Sequence, residues 1–150
     1  MLPFRGIFSL LIFITIGMLV WGCSSGSSDA PDLYFEKGEY SFTLYDSLGN
    51  KVADGVFHIK NWEGDNISGT YDFTKMYVSD FPGLNTMTGN FTGNITDNKK
   101  HAVMNTNPKL ADSNVFINLT ALHYSFSGDW KYATLTGTRG SGGVKAFRLK

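Results

Sequence analysis

Three histidines, His58, His101 and His123, are the side chains best suited to bind a metal or move a proton near neutral pH. They lie far apart in the chain, and none has a Cys, His or carboxylate at metal-ligand spacing. A zinc site needs three or four converging ligands, so the sequence predicts no metal and no cofactor. Most carboxylates adjoin Gly, Asn or Ser, where turns use them for local hydrogen bonds, and no pair stands out for acid–base work. The run Gly137–Gly143, GTRGSGG, has the glycine content of a phosphate loop. It lacks the Gly-Lys-Ser/Thr ending and a following helix, and it predicts a glycine-rich hairpin turn instead. With no Gly-x-Ser-x-Gly elbow either, the chain is expected not to be an enzyme. Four Asn-x-Ser/Thr triplets, at Asn66, Asn90, Asn94 and Asn118, are expected as by-products of polar strand faces.

One residue is chemically distinctive by position. Cys23 is the only cysteine, and it stands where an apolar run meets a Ser/Gly tail. Arg5 is the only charge ahead of it, and Gly6 to Trp21 is apolar apart from Ser9, Thr15 and glycine. A positive start, a short apolar core and a small residue at the end describe an export signal. The run is shorter than the ~20 residues that comfortably span a bilayer. An exposed unpaired thiol is a liability in an oxidising compartment, which favours a modified Cys23 over a free one.

The residues Val20-Trp21-Gly22-Cys23 resemble the lipobox of bacterial lipoproteins, with Leu19-Val20 aliphatic and Gly22 small before the cysteine; Trp21 stands where that family usually has a small residue. The resemblance implies cleavage after Gly22, so that residues 1–22 are a signal peptide. It also implies a diacylglyceryl thioether on the Cys23 sulfur and an acyl chain, such as palmitate, on its amino group. One acyl chain holds a protein to a bilayer only marginally, whereas several anchor it durably. Ser24 follows the cysteine. In lipoproteins of two-membrane bacteria an Asp there commonly retains the protein in the inner membrane, so the resemblance implies the outer membrane.

Without residues 1–22 the chain carries 12 basic and 13 acidic side chains, a net charge of −1. Such a domain lacks the basic field that nucleic acid binding needs. The charges are uneven, with 4 basic and 11 acidic residues from Cys23 to Asn98 against 8 and 2 from Lys99 onward. In a closed barrel the last strand lies beside the first, which would neutralise this split across the seam.

Ser24 to Asp32, SSGSSDAPD, is small, polar and Pro/Gly-containing. That stretch has about 15 Å of random-coil reach, and residues 23–37 therefore read as a lipidated N-terminus and tether, ending near Leu33-Tyr34-Phe35. From Gly38 the period is two. EYSFTLYD sets Tyr40, Phe42 and Leu44 on one face; GVFHIKNW, ISGTYDF, MTGNFTGNI, VFINLTA and YSFSGDW continue the alternation. An apolar–Ser/Thr–Gly–Thr/Asn/Asp unit recurs at Ile67–Thr70, Met87–Asn90, Phe91–Asn94, Phe126–Asp129 and Leu135–Thr138. Inward glycines let strands bend sharply and make room beside inward aromatics, as closing a small barrel requires. Residues 38–150 are thus predicted to form one all-β domain, an up-and-down antiparallel β-barrel of about eight strands. ISGTY, MTGNFTGN and FSGDWKYATLTGTRGSGGVKAFRL resemble the calycin (lipocalin-like) barrels, particularly small bacterial lipoproteins of that shape; the resemblance implies the fold and no ligand.

The inward set is aromatic: Tyr40, Phe42, Tyr71, Phe73, Phe91, Tyr124, Phe126 and Trp130. A barrel of this size is either filled by side chains or holds one small ligand. MYVSDFPGLN, Met76 to Asn85, could plug it or act as a lid. Two function classes follow. One is a lipid-anchored, non-catalytic binding or structural module of the cell envelope, held to the membrane by its lipid and meeting an envelope partner protein. The other is a carrier of a small apolar ligand lined by Tyr71, Phe91, Phe126 and Trp130. For the anchor the expected outcome is direct. Labelled fatty acid enters the wild-type protein and not Cys23→Ser, and equal labelling of the two refutes acylation at Cys23.

Overall fold

The computed structural model describes residues 33–78, 87–110 and 112–149. The signal segment, Cys23, the tether up to Asp32 and most of the expected plug or lid lie outside them. Eight antiparallel strands follow one another around a closed barrel. They are β1 (Gly38–Tyr45), β2 (Lys51–Glu63), β3 (Asn66–Met76), β4 (Thr88–Thr96), β5 (His101–Asn105), β6 (Asn114–Ala121), β7 (Phe126–Thr134) and β8 (Gly137–Arg148). Each strand pairs with its sequence neighbours, and β8 closes on β1 through pairs such as Phe42 with Ala146 and Leu44 with Val144. The all-β, up-and-down fold read from the alternation is the one observed.

Alternation becomes burial. Along β1, Tyr40, Phe42 and Leu44 are buried while Ser41, Thr43 and Tyr45 are half-exposed. Val115, Ile117 and Leu119 do the same on β6. Contacts join eight rings into one network inside the barrel. Phe126 meets Phe35 at 4.4 Å and Tyr40 at 5.3 Å, and Tyr40 stacks on Phe57 at 4.8 Å between centroids. Phe57 reaches Phe42 and Phe91, and Phe42 leads through Phe73 to Tyr71. Offset and edge-on ring pairs of this kind add about 0.5–1.5 kcal/mol each beyond area burial.

Phe35 corrects the tether boundary. It is fully buried, and its N–H donates to the Lys99 carbonyl at 2.9 Å, so the chain packs on the barrel before β1 begins. The Tyr40 hydroxyl fixes the same approach, accepting from the Glu36 N–H at 2.8 Å and donating to the Glu36 carbonyl at 2.9 Å. Burial raises the Tyr40 pKa, with the Glu36 backbone hydrogen bond opposing it. Arg148 at the end of β8 forms an ion pair with Glu36, an instance of the charge neutralisation expected at the seam.

Two further expectations are corrected. Gly137–Gly143 is not a turn; it is the first half of β8, and the β7–β8 turn is Leu135–Thr136. Glycine has no side chain to show alternation, so a strand there is invisible to pattern. Tyr124 does not point inward. It lies in the β6–β7 connection and is 76% exposed, because β7 begins only at Phe126.

The recurrent glycines mark close approaches. A Cβ on Gly69 would sit 1.8 Å from the His58 carbonyl oxygen, and one on Gly128 would sit 2.0 Å from that of Asn118. No side chain fits there. Gly69→Ala should therefore lower unfolding free energy by on the order of 3 kcal/mol. Gly143→Ala, whose added methyl group meets nothing nearer than the Gly128 carbonyl at 3.9 Å, should stay within about 0.5 kcal/mol of wild type. Urea titrations of the two variants check this, and equal stabilities contradict it.

Candidate functional site

The outward residues of β2 to β6 form cross-strand rows. Register aligns Asn61 with Ser68, Ser68 with Thr92, Thr92 with Asn105, and Asn105 with Phe116. The next row runs from Asn66 through Asn94 to Val103 and Asn118. Period-two strands must produce such rows, since every second residue faces the same way and neighbours lie ~4.8 Å apart. Side-chain hydrogen bonds tie them together. Asn94 Nδ2 donates to Asn66 Oδ1 at 2.9 Å, Asn61 Nδ2 to Ser68 Oγ at 3.2 Å, and Asn118 Nδ2 to Asp129 Oδ1 at 2.8 Å.

These rows line a groove of about 530 Å³ on the outer wall. Ile67, Gly93 and Met104 belong to its floor; Trp62, level with Ile67 on the inward row and packed against the core, borders it at β2, and the outward Phe116 borders it at β6. A smaller hollow of about 260 Å³ shares Asn61, Ser68 and Thr92 and continues toward Pro108 and Lys109. Trp62 is fixed by its Nε1–H, which donates to the Gly64 carbonyl at 2.7 Å, and by the Lys99 ammonium 5.5 Å from its ring centroid. Lys99 is held there by the β4–β5 turn, in which Asp97, Asn98 and Lys99 all have positive φ. For Lys, unlike Asn or Asp, that conformation is strained by roughly 1–2 kcal/mol.

The interior candidates sit deep in the core. Phe91, Phe126 and Trp130 are almost fully buried, as is Tyr71, whose ring covers Gly89. Trp130 lies against Gly140, and its Nε1–H donates to the Tyr45 carbonyl at 2.7 Å, which links β7 to the end of β1 across the β8 seam. Tyr71, Phe91 and Phe126 all belong to the ring network, and Trp130 lies at that seam. Of the histidines, His58 on β2 lies 3.6 Å from Glu39, His101 on β5 pairs with the Thr120 hydroxyl at 3.2 Å, and His123 neighbours Tyr124 in a connection. Among the described residues, no group of three or more His, Cys, Asp or Glu could hold a metal ion. Sequence reasoning passed over Asn61, Asn105 and Phe116. None of the three belongs to an Asn-x-Ser/Thr triplet; only the cross-strand register, which sets them level with Ser68 and Thr92, reveals them.

At the opposite end of β2, Asp54 organises a clamp. Its carboxylate accepts from Thr43 Oγ1 at 2.7 Å and from Tyr77 Oη at 2.5 Å, with Lys51 Nζ at 3.5 Å. Lys75 lies over the Tyr77 ring at 4.6 Å. The clamp pins the chain where it leaves β3.

No family model matches the chain, and no curated protein matches it. Among solved structures, a redesigned β-barrel is similar with a TM-score of 0.47 and 13% identity, over 76% of this chain and 91% of that one.

The clamp titrates. Desolvation raises the Asp54 pKa, but the hydrogen bonds from Thr43 and Tyr77 and the Lys51 charge outweigh it, so the pKa lies below the usual carboxylate value. A depressed folded-state pKa means stabilisation that is present above the ordinary carboxylate pKa of about 3.9 and is lost as pH falls through the lower folded value. Ring resonances of Tyr77 should therefore hold their folded positions at pH 4 and shift only in stronger acid. In Asp54→Asn they should show no such titration. A wild-type midpoint above the ordinary carboxylate value contradicts the clamp.

Proposed function

We propose that this chain is a lipid-anchored module of the bacterial cell envelope that binds through the outer wall of its barrel and performs no catalysis. The observation that carries the binding role is the outer-wall groove across β2 to β6, walled by amide and hydroxyl side chains and bordered by Phe116. A groove of this volume falls within the range of small-molecule sites, and its lining offers hydrogen-bond donors and acceptors at fixed positions. The anchoring role rests on the Gly22-Cys23 junction after an apolar run, and the outer-membrane location on Ser24. The tether then keeps the barrel near the headgroups, so the ligand or partner lies at the membrane surface.

An apolar ligand inside the barrel is the second candidate. It would have to displace rings already in contact, such as Phe35 against Phe126 at 4.4 Å and Tyr40 against Phe57 at 4.8 Å. Losing such packing without replacing it costs several kcal/mol per large side chain. The packed core therefore favours the outer wall.

Two measurements test the proposal. In membrane fractionation the wild type should travel with outer-membrane markers and Ser24→Asp should move toward the inner membrane; an unchanged distribution contradicts the sorting. Hydrogen exchange of the chain in native envelope vesicles should be slower along β3, β4 and β5 than in detergent. Identical exchange in both settings contradicts binding by the outer wall.

A further inference from the structure

We propose that the groove takes a neutral glycan, an extended run of uncharged sugars laid across β2 to β6. This inference rests on the outer wall being the binding surface and adds the chemical class of what it binds.

The lining selects that class. Asn61, Asn66, Asn94 and Asn105 each carry two donors and two acceptor lone pairs, and Ser68 and Thr92 add hydroxyls. The Asn94–Asn66 and Asn61–Ser68 hydrogen bonds, and the Asn107 N–H donating to Asn105 Oδ1 at 2.9 Å, use part of that capacity; they orient the amides and leave the remaining donors and lone pairs for a ligand. Sugar hydroxyls both donate and accept, so they match such a surface at every position. Amide groups on a sugar would match it as well.

Competing classes fit less well. Among the described residues, Glu63 is the only charged one lining the larger groove, and Lys60 and Lys109 belong to the smaller hollow. A phosphate or carboxylate ligand would therefore meet a carboxylate and no guanidinium in the main groove. An acyl chain would strip water from four amides and return no hydrogen bonds, at a cost of about 1–3 kcal/mol for each group left unpaired.

Shape agrees with chemistry. The groove residues come from five of the eight strands, four steps of ~4.8 Å measured along a wall that curves round the barrel, so the path suits an extended oligosaccharide better than a single sugar. Phe116 stands on the outward row at the β6 flank, where its ring can pack against the C–H face of a pyranose.

The test uses the full chain in detergent and isothermal titration with three probes: a hexamer of N-acetylglucosamine, cellohexaose, and a heparin-derived hexasaccharide as the charged comparison. Saturable binding of at least one neutral hexamer is expected. It should weaken at least tenfold in Thr92→Lys and in Phe116→Ala, and stay within twofold in Thr138→Lys on β8. Thermal melting confirms that each variant is folded, and Asn105→Ala substitutes for any that is not. Preference for the N-acetylated hexamer assigns the ligand to acetamido-sugar polymers, and equal binding assigns it to hydroxyl recognition alone; both support the class. Tighter binding of the heparin fragment overturns it, as does neutral binding that Thr92→Lys leaves unchanged. If neither neutral hexamer binds while envelope vesicles still protect β3 to β5, the glycan class fails and the outer-wall assignment stands. If vesicles give no protection either, both fail.

Discussion

Everything in this molecule depends on how closely neighbouring strands approach where the barrel wall curves. At Gly69 and Gly128 the facing carbonyl oxygen occupies the place a Cβ would need. The wall closes at eight strands because those positions are empty of side chain. The same curvature brings inward rings over glycine, as with Tyr71 on Gly89 and Trp130 on Gly140. Large side chains on one strand thus fill the gaps left by small ones on the next, and rings from strands two apart meet inside the barrel. Sterics at the wall and packing in the centre are one constraint seen from two sides.

The inward face is packed with rings and the outward face is polar, and the sequence serves both faces with one device. In each Asn-x-Ser/Thr triplet the middle residue is core: Ile67, Phe91, Ile95 and Leu119 are all buried. The flanking amide and hydroxyl face out, at Asn66 and Ser68, Asn90 and Thr92, Asn94 and Thr96, and Asn118 and Thr120. Three of these triplets contribute to the groove or its extension. Changing the centre of a triplet acts on stability, whereas changing its flanks acts on the surface. The two are separable by mutation although they are adjacent in sequence.

Much of this was legible beforehand, for identifiable reasons. Half-buried strands such as β1 and β6 announce themselves because polar and apolar residues alternate without interruption. The glycine recurrence signalled curvature, and all but Gly137 of the repeated glycines sit inside strands; Gly137 instead opens β8 with φ near +112°. The β8 segment was hidden because GTRGSGG has too few side chains to alternate. Tyr124 misled because alternation alone does not say where a strand starts. The outer groove needed the register: Asn61 and Phe116 are 55 positions apart in sequence, and only the pairing of five strands sets them on one row. Irregularities in pairing between Ile59 and Asn61 shift that row by a residue, which no single-strand pattern records.

The position of β1 has a mechanical consequence. The chain joins the barrel through Phe35, buried among rings, and runs directly into a strand hydrogen-bonded on both sides, to β2 and to β8. Tension drawn on the N-terminal side is therefore directed along the β1 axis and loads two ladders in shear. An edge strand would peel one bond at a time, whereas here the bonds must yield together. Phe35 and the Glu36–Arg148 pair stand ahead of those ladders and take the first part of the load. A barrel pulled by its leading strand resists extraction most strongly in the direction from which a tether would pull.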